Sequence, residues 1–85
     1  MEIREVLALN LRKRRRAQRL SQEELAYRAE IDRTYISALE RSVYAASIDV
    51  VDRLARALGV EAADLLRQPP PPPSDKKSGR RRTGA

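Results

Sequence analysis

The stretch SQEELAYRAEIDRTYISALER, which runs from residue 21 to residue 41, holds two short helix signals with almost nothing between them. Ser21 is a good N-cap, and Glu24, three residues later, completes a capping box. After a break in the apolar pattern, Asp32 is a second N-cap candidate, and Ile36 begins the apolar stripe of the next helix. The stretch therefore predicts two helices joined by about three residues.

A connection this tight is a helix-turn-helix, and it leaves one face of the second helix free. The residues of that face, opposite Ile36, are Arg33, Thr34, Ser37, Ala38 and Arg41. Arginine bonds both guanine acceptors in the major groove, threonine and alanine methyls suit the thymine methyl, and hydroxyls accept or donate. The pattern predicts base contacts in DNA from Arg33, Thr34, Ser37 and Ala38.

Three motifs occur in order along residues 7 to 66: LSQEELA (Leu20–Ala26), TYISALER (Thr34–Arg41) and LARALGV (Leu54–Val60). In these motifs the chain resembles the Cro/C1-type (XRE) helix-turn-helix proteins, which include phage repressors and Cro. Its size and the run DRTYIS (Asp32–Ser37) are most similar to the small controller proteins of restriction-modification systems and related regulators of mobile elements. The resemblance implies an all-α, five-helix, lambda-repressor-like DNA-binding domain.

The resemblance also implies roles for individual residues. Gln22 is expected to clamp a phosphate and to brace the start of the recognition helix, although a plain polar first-turn residue is the alternative. Tyr35 is expected at the DNA near the operator centre, with half-buried packing as its alternative. The residues expected at the DNA backbone are Gln22, Tyr35, Arg41, Ser42 and Tyr44.

Two further expectations concern contacts within the protein and between copies. Arg15 stands at a position whose arginine pairs with a glutamate of the recognition helix, here Glu40, in the resembling family. The last two helices of that family often form a two-fold interface. We therefore assign Val50, Leu65 and Leu66 to a dimer interface, with an ordinary core edge as the alternative.

The three positions where the family commonly has glycine at helix ends hold Arg19, Glu30 and Ser42. A non-glycine residue at positive φ costs on the order of 1 kcal/mol. Either the turns differ here or the chain forgoes some stability.

The rest of the pattern predicts a first helix over residues 2 to about 18, a fourth between Ser47 and Gly59, and a fifth over residues 61–66. These complete a DNA-binding domain over residues 1–67. Residues 68–85 should form a disordered tail, with a polyproline II rod at Pro69–Pro73 and then basic residues. The basic residues either add phosphate contacts or only keep the protein soluble.

Composition narrows the function classes. The 85 residues include no Cys and no His, so zinc sites and the usual acid–base catalysts are not expected, and the absence of Phe and Trp predicts an aliphatic core. The net charge of +6 suits a polyanionic partner. No membrane span or signal peptide is expected, which favours the cytoplasm, with nucleoid association when DNA is bound. We expect no cofactor and no small-molecule ligand.

Together these features predict a transcriptional regulator, not an enzyme, that binds a palindromic operator in double-stranded DNA as a homodimer, either one dimer or two dimers side by side, and regulates its own gene. The alternative is an antitoxin-type module that covers a toxin partner. The tail lacks the amphipathic extension that such a module usually brings.

Overall fold

Five α-helices make up the described part of the chain, residues 2–68 of the computed structural model. They are α1 (Ile3–Ala17), α2 (Gln22–Ala29), α3 (Arg33–Glu40), α4 (Ile48–Leu58) and α5 (Ala62–Leu66). This confirms the all-α, five-helix prediction. Of the predicted tail, residues 68–85, all but Gln68 lie outside the described residues, including the proline rod and the basic segment.

Each of the predicted N-caps is formed. Ser21 Oγ accepts a hydrogen bond from the Glu24 N–H at 3.0 Å, and Glu24 Oε1 accepts one from the Ser21 N–H at 2.8 Å, so the capping box of α2 is complete. Asp32 Oδ1 caps α3 through the Thr34 N–H at 2.9 Å. These side chains satisfy N–H groups that the first helical turn leaves free, so both helices begin where the sequence predicts.

Four helices end in the same left-handed turn. Arg19, Glu30 and Ser42 have φ of 58°, 59° and 60°, and Gly59 has φ of 72°. In each turn the N–H of the next residue bonds a carbonyl five positions back, as Val43 does with Ala38 at 2.9 Å. This is the Schellman arrangement. The turns therefore keep the geometry that glycine favours, although three of the four residues are not glycine.

The core is aliphatic, as predicted. The largest fully buried side chains are Leu11, Leu25, Ile36, Leu39, Leu54 and Leu65. Helix α1 packs against α3 and α5, α2 against α3 and α4, and α4 against α5. The short helices α2 and α3 are therefore held from behind by α1 and α4, and one face of α3 points away from the core.

The prediction that Leu65 lies at a dimer interface is wrong, because its side chain is 0% exposed within the chain's own core. Helix α5 has only five residues, and Leu65 is its only buried one. Asn10 of α1, itself buried, donates from Nδ2 to the carbonyls of Leu65 and Arg67, both at 2.9 Å. These bonds anchor α5 with Leu65 facing inward.

Among residues 2–68, no helix has both the length and the apolar composition needed to cross a membrane.

Candidate nucleic-acid interface

The outer face of α3 is polar and mostly accessible. Arg33 and Thr34 are exposed and Ser37 is half-buried, whereas Ile36 and Leu39 are buried on the opposite side. The steep amphipathic division follows from the 3.6-residue period, which places residues 33, 34 and 37 away from 36 and 39. The structure thus brings three of the four predicted base-contacting residues to one surface.

The first turn of α3 fixes the hydrogen-bonding character of Thr34. Its hydroxyl donates to Asp32 Oδ1 at 2.7 Å, so the oxygen lone pairs remain as acceptors toward solvent. The two bonds from Thr34, first from its hydroxyl and then from its N–H, lower the pKa of Asp32 below its ordinary value. Asp32 is therefore a carboxylate at neutral pH, and Thr34 presents an acceptor.

Arg33 is placed to donate to a ligand. Within residues 2–68 its guanidinium has no hydrogen-bond partner, and the side chain is exposed at the first position of α3. A guanidinium that is not held by the protein keeps its two-donor fork available for two acceptors at once.

Ala38 departs from the prediction that it lies free on this face, because it is only 5% exposed. Its helical position does point outward, but the loop after α3 folds back over it. The Val43 N–H bonds the Ala38 carbonyl, and Tyr44 packs edge-on against Tyr35, with ring centroids 6.0 Å apart at 72°. The Ala38 methyl is therefore covered by the chain itself.

This folding leaves a hollow of 460 Å³ between α3 and the loop, which we call the tyrosine hollow. It is lined by Asp32, Thr34, Tyr35, Ala38, Arg41, Val43 and Tyr44. Val43 is 53% exposed and Tyr44 is 57% exposed. Sequence reasoning missed Val43, whose only signal is an apolar residue directly after a left-handed turn.

The rear of α3 is held by the predicted ion pair between Arg15 and Glu40. Arg15 Nε and Nη2 donate to the two Glu40 carboxylate oxygens at 2.6 and 2.9 Å, and the side chains are only 12% and 3% exposed. These bonds, which Arg15 donates to Glu40, raise the pKa of Arg15 above its ordinary value, against the opposing effect of burial. The two-pronged contact fixes the last residue of α3 to α1.

Two more side chains converge on the same residue. Arg12 donates to the Glu40 backbone carbonyl, and Gln22 Nε2 donates to Glu40 Oε1 at 3.1 Å. The expected bracing by Gln22 therefore falls at the end of α3, not at its start. The role of Arg12 was not predicted from the sequence, because Arg12 is one of many basic residues in α1. Its spacing of three residues from Arg15, which places both on one face of the helix, could have indicated it.

The other residues predicted at the DNA backbone lie around this face. Arg41 is exposed, and its Nε donates to the Ser37 carbonyl at 3.3 Å, while Ser42 is half-buried in its left-handed turn. Tyr35 is half-buried and Tyr44 is exposed. Gln22 begins α2, beside the Glu40 network.

A second surface lies at the starts of α1 and α4 and the end of α5. Ile3 is 61% exposed, Ile48 87% and Leu66 39%, around a hollow of 440 Å³ that we call the isoleucine hollow. Val50, predicted at the interface with Leu66, is half-buried and packs against the core. Leu66 is thus the one predicted interface residue that reaches this surface.

A comparison with family profiles decides the class of this fold. The helix-turn-helix profile matches residues 11–65, which include α2, α3 and the Arg15–Glu40 pair. The chain belongs to the helix-turn-helix family. Its α3 is therefore the recognition helix of the motif, and the face that carries Arg33 is the one such a motif presents to DNA.

Relatives of this helix-turn-helix protein are regulators. A hypothetical transcription factor of Neisseria meningitidis is 44% identical over 68 residues, which cover 80% of this chain and 64% of that protein. A solved structure of a Neisseria hypothetical transcription factor has a TM-score of 0.78 at 44% identity, over 80% of this chain and 78% of that one. The control protein C.BamHI of Bacillus amyloliquefaciens is 45% identical over 47 residues, 55% of this chain and 58% of that protein.

The matched part of the chain thus spans about three fifths of the length of these two curated relatives. The restriction-modification controller protein C.Esp1396I has been solved as a tetramer on its natural 35-base-pair operator. That structure has a TM-score of 0.71 at 28% identity, and the match covers 76% of this chain and 86% of that one.

Proposed function

We propose that the protein is a transcriptional regulator that binds a palindromic DNA operator as a homodimer and reads base edges with α3. The carrying observation is the exposed polar face of α3, with Arg33 free to donate and Thr34 set as an acceptor, on a helix whose far side is tied to α1. A helix that reads base edges needs unbound side chains on its DNA-facing side and a backbone that is fixed by contacts on its core-facing side. The described chain has both.

The proposed assignment of contacts follows from this geometry. Arg33, Thr34 and Ser37 read bases, with Arg33 opposite a guanine. The residues proposed at the DNA backbone are Gln22, Tyr35, Arg41, Ser42 and Tyr44. The Gln22 N–H stands at the start of α2, where the helix dipole favours a phosphate.

The homodimer is supported by the isoleucine hollow. Three large apolar side chains are exposed there, and the rim carries both Arg4 and Asp49, so the surface is complementary to itself. A two-fold interface pairs a patch with its own copy, which is the arrangement such mixed charge allows. Two copies would then present two α3 helices to half-sites about 34–36 Å apart, or a multiple of that distance.

Three further parts of the proposal concern the place of the operator, its occupancy and where the protein works. Occupancy by two dimers is supported by the relatives, which include a control protein and an operator-bound tetramer. The operator lies upstream of the protein's own gene, and two dimers can occupy it. The protein works in the cytoplasm, associated with the nucleoid when bound. Footprinting of the upstream region with increasing protein tests both occupancy steps.

The deciding experiment is selection of bound sequences from random duplex DNA by the full chain. A motif with two-fold symmetry and the spacing above is the expected result. Enrichment of no motif, or of an asymmetric one, would contradict operator recognition by a dimer. Arg33→Ala should then weaken binding by about 1–3 kcal/mol and relax one G·C position.

A matched control separates base reading from general charge. Arg56 is also exposed, on α4, and within residues 2–68 it pairs only with Asp52 of its own helix. Arg56→Ala should leave the selected motif unchanged. If Arg33→Ala weakens cognate and scrambled duplexes equally, Arg33 does not read a base.

A further inference from the structure

The tyrosine hollow carries two exposed apolar side chains on the surface that we propose faces DNA. Among the four apolar residues that follow the left-handed turns, Leu20 is in the core, and Ile31 and Val60 pack against it. Val43 alone does neither and is 53% exposed. Tyr44 beside it is exposed to a similar extent. The loop thus exposes two apolar side chains next to α3, whereas the residues after the other three left-handed turns are packed in or against the core.

The rim of the hollow indicates which part of DNA fits. Asp32, an N-cap carboxylate, stands on one side and would repel a phosphate. Arg41 and Thr34 line the hollow with it, so the rim carries a carboxylate, a guanidinium and a hydroxyl acceptor together and has no net positive charge. Base edges present mixed donors and acceptors without full charge, so the rim suits the edge of a base.

The apolar side chains of the hollow indicate which base. The exposed Val43 side chain and Tyr44 ring form an apolar patch inside that polar rim, with the buried Ala38 beneath them. The one apolar group that a base pair displays in the major groove is a methyl at C5 of a pyrimidine. We propose, building on the proposed function, that the tyrosine hollow receives the 5-methyl group of an operator pyrimidine. Thymine and 5-methylcytosine both carry this group. The Tyr44 ring then contacts a base, which replaces the backbone contact proposed for it above.

The test uses the full chain and the consensus duplex obtained by selection. Each thymine is replaced in turn by uracil, which removes only the methyl, and each cytosine by 5-methylcytosine, which adds one. We expect one uracil substitution per half-site to weaken binding about fourfold, the effect of burying one methyl group. If 5-methylcytosine is the natural ligand, a methylated cytosine should instead strengthen binding by a similar factor.

Variants connect the effect to the hollow. Val43→Ala and Tyr44→Ala should bind the thymine and uracil duplexes with nearly equal affinity, or the methylated and plain duplexes if cytosine is read. Tyr44→Phe keeps the ring and should keep the discrimination. Tyr27→Ala, which removes a tyrosine that is 86% exposed on α2, should discriminate like the natural chain.

The outcomes are separable from those of the proposed function. If selection yields no motif, operator recognition itself fails. If a motif is found but neither base series changes binding, or the discrimination survives undiminished in Val43→Ala and Tyr44→Ala, the hollow does not receive a methyl group. Circular dichroism confirms that each variant is folded before binding is compared.

Discussion

At the scale of single residues, Glu40 makes more contacts with other helices than the sequence alone indicates. It is 3% exposed and binds Arg15, Gln22 and, through its backbone carbonyl, Arg12. Removing one partner of a buried ion pair leaves a charge without compensation. Arg15→Ala should therefore lower the free energy of unfolding by about 3–5 kcal/mol in urea titrations.

The matched control replaces both charges. Arg15→Met with Glu40→Leu keeps the volume and leaves no buried charge, so its stability should lie close to that of the natural chain. Its operator affinity should nevertheless fall, because the end of α3 is no longer fixed in register. Equal losses of stability in the single and double variants would show that packing, not charge, dominates here.

Backbone conformation at single residues gives a second prediction. Arg19 and Glu30 hold left-handed φ values near 60°, where a side chain costs energy that glycine avoids. Arg19→Gly and Glu30→Gly should each raise the free energy of unfolding by about 1 kcal/mol in chemical denaturation.

Gly59 supplies the opposite control. It has φ of 72°, and a Cβ added there would meet nothing within 4 Å. Gly59→Ala should thus destabilise by about 1 kcal/mol through the backbone alone. If the changes to glycine and the change from glycine shifted the free energy of unfolding in the same direction, the explanation from backbone conformation would be wrong.

Single residues also show which features could be predicted from the sequence and which could not. The Arg15–Glu40 pair was predicted by family resemblance, because motif spacing fixes which residues meet. Ala38 was misplaced, since helical periodicity gives its direction correctly but not the path of the loop that covers it. Val43 was overlooked for the same reason: its exposure depends on where that loop lies.

At the scale of helices, three of the carboxylates that hold N-terminal turns have a lowered pKa. The pKa of Glu24 lies below its ordinary 4.5 because the Ser21 backbone and hydroxyl bond it. The pKa of Asp64 in α5 lies below its ordinary 3.8 because the Glu61 N–H and then Arg67 donate hydrogen bonds to it. The pKa of Asp32 is lowered by Thr34, as described above. A pKa that folding lowers stabilises the fold above the ordinary value, and the benefit disappears as pH falls through the folded value.

The natural chain should therefore lose melting temperature as pH falls below about 4. A triple variant, Glu24→Gln with Asp32→Asn and Asp64→Asn, should melt lower than the natural chain near neutral pH. The gap should narrow as pH falls below the ordinary pKa values of 3.8 and 4.5, because the carboxylates of the natural chain then become protonated. Calorimetric scans across this range measure the gap; a gap independent of pH would contradict the role of these charges.

Helix boundaries were the most predictable level of the fold. Capping residues and apolar spacing act within one or two turns, so Ser21, Asp32 and Ser47 located three helix starts without tertiary information. Helix α5 was harder, because five residues are too few for periodicity to decide which of Leu65 and Leu66 faces inward. Its orientation comes from Asn10, a contact 55 positions away in sequence.

At the scale of the whole molecule, the proposed dimer interface at the isoleucine hollow makes a prediction about DNA affinity. One α3 helix reaches only a few base pairs, so specificity for a long operator requires that two copies bind together. Ile48 is 87% exposed at the start of α4, beside Ile3 and Leu66. Ile48→Arg should leave the monomer folded, abolish the dimer in sedimentation equilibrium, and reduce affinity for the full palindrome to that for a single half-site.

Tyr27→Arg is the matched control, because Tyr27 is 86% exposed on a different helix and outside the hollow. It should dimerise and bind the palindrome like the natural chain. A natural chain that is monomeric alone but copurifies with a second small protein, whose binding Ile48→Arg prevents, would instead favour the antitoxin-type alternative. Persistence of the dimer in Ile48→Arg would place the interface elsewhere, since an arginine cannot lie at the centre of a two-fold apolar contact without facing its own copy.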